Sequence, residues 1–172
     1  AVGYQAGYSN AGGGSQLTFV GYRAGYSNTG GTNAAFGADA LYSNTTGDDN
    51  TAIGSYRPLY SNTTGSSNIA VGRQALFSNT TASNNTAVGY QAGYSNTTGT
   101  RNVSVGHTAL RATTTGNYNI GIGYQAGLAN TTGSFNTVVG DDAFNDNTTG
   151  DFNISIGHAS LASNTTASSN VA

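Results

Sequence analysis

Along this chain an aliphatic or aromatic residue followed by glycine returns at nearly fixed intervals, at Gly3, Gly21, Gly37, Gly54, Gly72, Gly89, Gly106, Gly123, Gly140 and Gly157. The intervals are 18, 16, 17 and 18 residues, then 17 five times in succession. The residue before the glycine is never polar: Val2, Val20, Phe36, Ile53, Val71, Val88, Val105, Ile122, Val139 or Ile156. An asparagine opens each unit at Asn33, Asn50, Asn68, Asn85, Asn102, Asn119, Asn136, Asn153 and Asn170, with Leu17 the exception. A second column runs through Asn10, Asn28, Asn44, Asn62, Asn79, Asn96, Asn130, Asn147 and Asn164, interrupted by Thr113. A small residue stands three after the glycine, as in Ala6, Ala75, Ala92 and Ala126. The consensus N-T-A-V-G-Y-Q-A-G-Y-S-N-T-T-G is intact from Asn85 to Gly99.

A unit of this length is too short for two helices and a turn, which need about 33 residues, but suits one solenoid coil of short strands. In N-[TIV]-[ASG]-[VI]-G the β-branched residues alternate, so Ile120 and Ile122, or Ile154 and Ile156, share one face of a strand. Asn-Thr-Thr-Gly reads as a turn, because Asn and Gly tolerate positive φ and Asn bonds its own backbone. The predicted fold is all-β: one parallel β-solenoid domain over residues 1–172, of about ten coils, forming a rod about 48 Å long. One coil cannot offset its ordering entropy alone, whereas stacked coils bury a continuous column. The expected core column is Val20, Ile53, Val71, Val88, Val105, Ile122, Val139 and Ile156. Asn50, Asn68, Asn85, Asn102, Asn119, Asn136 and Asn153 are expected to hydrogen-bond as a ladder along the axis. Such a core is thin, so several chains are expected to share it. The extra residue near Tyr56–Pro58 is expected to bulge outward.

Composition sharpens this reading. All basic residues are Arg and all acidic ones Asp, so the Lys and Glu of helix surfaces are missing. The charged fraction is 7% and the formal net charge −2, which gives no basic footprint for nucleic acid or anionic membrane. No apolar run approaches the ~20 residues of a membrane span. Low charge with abundant Gly, Ser, Thr and Asn also marks disordered chains, but the phased apolar positions and the single Pro oppose that. There is no Cys, so no disulfide contributes. Ala1 and Ala172 occupy the same slot of the unit, which favours a segment of a longer fibre over seamless head-to-tail polymerisation.

The N-x-[AS]-[VI]-G motif, as in Asn68–Gly72, Asn102–Gly106 and Asn153–Gly157, resembles the head repeats of YadA-like trimeric autotransporter adhesins. The string A-V-G-Y-Q-A-G-Y-S-N-T-T-G, Ala87–Gly99, is similar to repeats of phage tail-fibre-type proteins. The resemblance covers nearly the whole chain, although the unit is longer than the adhesin head repeat. It implies a left-handed, homotrimeric β-roll in a surface fibre that adheres or acts as a spacer.

Candidate chemistry is sparse. His107 and His158 follow the anchor glycine in the slot held elsewhere by Tyr4, Tyr22, Tyr90 and Tyr124, with no second metal ligand beside them in the motif. Asp141, Asp142, Asp146 and Asp151 form the one acidic cluster, read as solvated turn residues. The calcium-roll pattern is missing, since Gly12–Gly14 has no following Asp. Tyr8, Tyr26, Tyr42, Tyr60, Phe77 and Tyr94 fall in one column, either packed between coils or exposed as a sugar-binding platform. N-x-[ST] sequons at Asn44, Asn62, Asn79, Asn96, Asn130, Asn147 and Asn164 make an N-glycosylated ridge or a run of good turns, with O-linked sugar on the Thr pairs an alternative. Asn84, Asn102 and Asn153 match as well, and those of the opening column are expected to be buried. The same Thr columns make a poor flat array for ice. No enzyme, no cofactor and no bound metal are expected. The expected role is an extracellular fibre segment of an adhesin or virion, self-associated as a homotrimer or filament, contacting a cell-surface glycan or receptor. A glycan-decorated filament subunit and a carbohydrate-binding module are the alternatives.

Overall fold

The structure is a computed structural model and describes residues 1–10 and 16–172. Nine strands, β1 (Thr18–Val20), β2 (Ala34–Ala38), β3 (Thr51–Tyr56), β4 (Ile69–Val71), β5 (Thr86–Val88), β6 (Val103–Val105), β7 (Ile120–Ile122), β8 (Thr137–Val139) and β9 (Ile154–Ile156), form one sheet in sequence order. Every neighbouring pair is parallel and in register by repeat position, so Val88 lies beside Val105 and Val105 beside Ile122. Single bridges, Val2 to Val20 and Ile154 to Val171, continue the ladder at each end. The chain is a parallel β-solenoid, and the described residues contain no helix. Of the calcium-roll reading, Gly12–Gly14 lies outside the described residues.

Coil-to-coil pairing runs around the rest of the circuit as well as through the strands. Gly93 N–H donates to Ala109 C=O at 2.9 Å, Ser95 to Arg111 at 3.0 Å and Thr97 to Thr114 at 2.9 Å. Corners are made by αL residues at fixed slots: Gln91, Arg101 and Leu110 have φ of 51°, 58° and 47°. A non-glycine residue in this region costs on the order of 1 kcal/mol, so each coil carries local strain that the coil-to-coil hydrogen bonds offset. The anchor glycine is demanded by a different geometry. At Gly106, with φ +136°, an added Cβ would sit 2.7 Å from the carbonyl carbon of Gly123 in the next coil. The glycines stack backbone on backbone, which fixes their column.

The side of each strand that faces inward corrects the expected core. The central residue of the strand triplet is buried: Phe19, Ala35, Ala52, Ala70, Ala87, Ser104, Val138 and Ser155. The residue before the glycine points outward. Val20, Ile53, Val88, Ile122 and Ile156 are 37–59% exposed, and Val71, Val105 and Val139 are half-buried. In a three-residue strand, alternation allows either face inward. The asparagine that precedes the triplet lies inside, and parity then puts the middle residue inside with it.

What fills the interior is a compensation between two slots. The position four after the anchor glycine, or five after it in the coil with the insertion, contributes Leu41, Leu59, Leu76, Leu110 and Phe144, all buried, facing the small central strand residues. Where that slot is Gly25, a Cβ would meet the Phe19 ring at 2.6 Å. Where the strand centre is Gly121, a Cβ would meet Leu110 at 2.6 Å. Large side chains in one slot thus require small ones opposite, and the core is one residue thick. The insertion after Gly54 is absorbed as a β-bulge where Phe36–Ala38 pairs with Ile53–Tyr56, leaving Ser55 exposed while Pro58 is buried.

Candidate functional site

Each repeat slot becomes a column along the rod, and the columns differ in what they can do. The opening asparagines from Asn33 to Asn153 are buried, and the side chain of each accepts from the next coil: Asn50 N–H donates to Asn33 Oδ1 at 2.8 Å, and Asn136 N–H to Asn119 Oδ1 at 3.0 Å. Their amide nitrogens donate across the coil, as Asn119 Nδ2 does to Gly133 C=O at 2.8 Å. The shape of the coil is therefore held by asparagine at both ends of its turn.

The sequon asparagines are nearly as enclosed, which favours the turn reading of the N-T-T column over the N-glycosylated ridge. Asn44, Asn62, Asn79, Asn96, Asn130 and Asn147 are buried, and Asn164 is half-buried. Asn62 Nδ2 donates to Asn44 Oδ1 at 2.7 Å and to Gly65 C=O at 2.8 Å. Asn79, Asn96 and Asn147 repeat the pattern. An N-linked sugar would replace a hydrogen that is already donated inside the rod, so the modified chain could not stack. Asn102 and Asn153 are sealed in the same way within the opening column.

Thr113 interrupts this second column, and the defect is visible. Asn96 Oδ1 and Thr113 Oγ1 are buried without partners. A buried polar group left unpaired costs about 1–3 kcal/mol. Thr113→Asn restores a donor to Asn96 Oδ1 and an acceptor for Asn130, so it is expected to stabilise the chain by about 1–3 kcal/mol, read as a higher urea midpoint at unchanged m-value.

Sequence reasoning missed a third polar column. The slot two before the opening asparagines from Asn50 to Asn170 holds Asp48, Ser66, Ser83, Thr100, Asn117, Ser134, Asp151 or Ser168. Except at Thr100, whose hydroxyl donates to Asn117 Oδ1, its side-chain oxygen caps the same N–H of the preceding coil: Ser66 N–H donates to Ser83 Oγ at 3.0 Å and Thr100 N–H to Asn117 Oδ1 at 2.7 Å. The signal was the unbroken run of short side chains with an acceptor oxygen.

The threonine pair divides into two columns. The first threonine donates its hydroxyl to the next coil's threonine carbonyl, as Thr97 does to Thr114 at 3.0 Å and Thr131 to Thr148 at 2.8 Å. The second, Thr46, Thr64, Thr81, Thr98, Thr115, Thr132, Thr149 or Thr166, is exposed in every case.

The aromatic column stacks from Tyr8 through Tyr26, Tyr42, Tyr60 and Phe77 to Tyr94, with centroids 5.0–5.4 Å apart and planes within 4–11°. The rings therefore cover one another's faces and present edges outward. A sugar stacks on a ring face, so of the two readings of Tyr8, Tyr26, Tyr42, Tyr60 and Tyr94 the geometry favours packing between coils over a sugar-binding platform. Beside it Arg23 and Arg57 flank the buried Asp39, with Arg23 Nη2 2.8 Å from Oδ1 and Arg57 Nε 3.2 Å from Oδ2. Each guanidinium also lies over two tyrosine rings, Arg23 over Tyr22 and Tyr42, Arg57 over Tyr56 and Tyr60. Desolvation works to lower the Arg23 pKa, but Asp39 with Tyr22 and Tyr42 outweighs it and raises the pKa above its usual value.

The remaining expected groups do not converge. His107 stacks between Tyr90 and Tyr124 at 4.9 and 5.3 Å, while His158 is exposed. Asp141 and Asp146 are exposed, and Asp151 Oδ1 accepts from Ser134 N–H at 2.6 Å. Asp142 is half-buried, with Oδ1 unpartnered. Among the described residues no three His or Asp side chains are grouped as a metal site, and no pocket is formed.

The outward aliphatic column is the most conspicuous surface. Beside it runs the first residue of each strand, including Ile69, Ile120 and Ile154, each 37–43% exposed. A separate exposed stack is formed by Tyr118, Phe135 and Phe152, with ring centroids 4.9 Å apart. No family model, curated protein or solved structure matches the chain.

Proposed function

We propose that the chain is a structural segment of an extracellular fibre, an adhesin- or tail-fibre-like rod that mediates attachment or spacing and associates with further copies of itself. The observation that carries this is the continuous outward aliphatic face, from Val20 to Ile156. Nine aliphatic or aromatic side chains of its two columns, each 37–59% exposed, leave on the order of 700 Å² of apolar surface open, more than a monomer ordinarily leaves in one patch. That approaches the ~800 Å² per partner of a stable interface. The face repeats once per coil over the whole rod, so its partner must carry the same period, and a parallel copy of this chain does. Three such rods around a common axis supply the thickness that the one-residue core lacks.

Sedimentation equilibrium tests this directly. The chain is expected to run as a homotrimer, and the triple variant Val88→Asp, Val105→Asp, Ile122→Asp as a monomer with its β circular dichroism retained, because these side chains point away from the coil interior. A monomeric parent chain at tens of micromolar would overturn the self-associating fibre.

A further inference from the structure

The repeats act as an internal control on which outer positions are free to change. The slot before each opening asparagine is exposed, and it varies without restriction: Asp49, Ser67, Asn84, Arg101, Tyr118 and Phe135 all occupy it. The slot after the anchor glycine varies as well, through Arg73, Tyr90, His107, Tyr124 and Asp141. The outer threonine behaves otherwise. From Thr46 to Thr166 it is threonine in eight successive coils, always exposed. The other unvarying slots have visible reasons: backbone contact for the glycine, hydrogen bonds for the asparagines and the first threonine, an apolar face for the aliphatics. The outer hydroxyls have no hydrogen-bond partner among the described residues, so coil geometry does not account for their uniformity.

We propose that this column is the modification ridge of the rod, carrying O-linked sugar on the outer threonines. The structure separates the three acceptor types that the N-T-T turns offer. The asparagine nitrogens are donated inside the rod, and the first threonine's hydroxyl is donated to the neighbouring coil. The outer threonine is the one acceptor that is both accessible and unengaged. In the transfer, its hydroxyl oxygen attacks the anomeric carbon of a nucleoside-diphosphate sugar held by a separate glycosyltransferase. The new C–O bond forms as the bond to the nucleoside diphosphate breaks, the leaving group takes the electron pair, and the hydroxyl proton passes to a base of the transferase. Neutral sugar fits this column better than phosphate, since phosphates at about 4.8 Å spacing would repel one another along the whole rod.

The test is mass spectrometry of the chain isolated from its native source. The intact mass is expected to exceed the sequence mass by a series of sugar increments that alkaline β-elimination removes. Electron-transfer fragmentation is expected to place them on the outer column, with Thr114, Thr131 and Asn147 unmodified. In the native producing cell, Thr115→Ala with Thr132→Ala is expected to remove two acceptor sites, and Thr114→Ala none. A native chain at its unmodified mass, or sugar on the asparagines or the first threonines instead, overturns the proposal. Electron microscopy of the same preparation reports the rod separately, so a bare fibre would sink the glycan ridge and leave the fibre reading standing.

Discussion

Gly106→Ala is expected to abolish the native fold of the central coils, with a loss of about 4 kcal/mol or more. Two penalties add at this position. The backbone holds φ at +136°, a region that L side chains rarely adopt. The added methyl also drives into the Gly123 carbonyl, which belongs to the next coil and cannot retreat without breaking the parallel ladder. Gly54 supplies the control. Its φ lies outside the positive region that disfavours L side chains, yet an added Cβ would still sit 2.8 Å from the Gly72 carbonyl carbon. Gly54→Ala should therefore cost less than Gly106→Ala by the conformational part, about 1–3 kcal/mol. Urea melts of the two variants, with limited proteolysis to locate cleavage near the substituted coil, compare them. Equal losses would show that coil contact, not backbone conformation, fixes the glycine column.

The second large effect is expected at Asn119. Its side chain donates to Gly133 C=O at 2.8 Å and accepts from the Asn136 backbone N–H at 3.0 Å and from Asn136 Nδ2 at 3.2 Å. All of these groups are buried among neighbouring coils. Asn119→Ala leaves the Asn136 backbone N–H unpaired, takes from Gly133 C=O one of its two donors, Asn130 Nδ2 being the other, and removes packing, for an expected loss of about 2–4 kcal/mol. In a solenoid stability is summed over neighbouring coils, so the loss should appear as a local opening around the seventh and eighth coils in hydrogen exchange. Uniform loss of protection from end to end would show the rod to be one cooperative unit. Thr113→Asn is the converse experiment, filling a vacancy in the partner column.

Much of the fold was legible because the repeat enforces it. A period of 17 with one β-branched triplet leaves a parallel stack as the simplest way to pair every strand, and β1 to β9 pair in that order. The asparagine before each triplet and the N-T-T-G turn were readable for the same reason, since those residue types carry the local hydrogen bonds themselves. The third polar column was harder to see because Asp, Ser, Thr and Asn look interchangeable in sequence. Asp, Ser and Asn are interchangeable there, as each supplies one acceptor oxygen to the coil before it, while the Thr100 hydroxyl donates to Asn117 Oδ1.

The period, the strands, their parallel register and the identity of the turn residues all follow from the repeat. Which side of each strand is inside follows from the closed coil instead. A triplet such as Val103–Val105 alternates equally well either way, and hydrophobicity alone favours burying the valines. Closure of the coil decides otherwise: the enclosed Asn102 sets the parity, Ser104 follows it inward, and Val103 and Val105 face outward. The same closure sealed the sequon asparagines and turned the tyrosine faces onto one another, because stacking coils at one strand spacing brings identical side chains together along the axis.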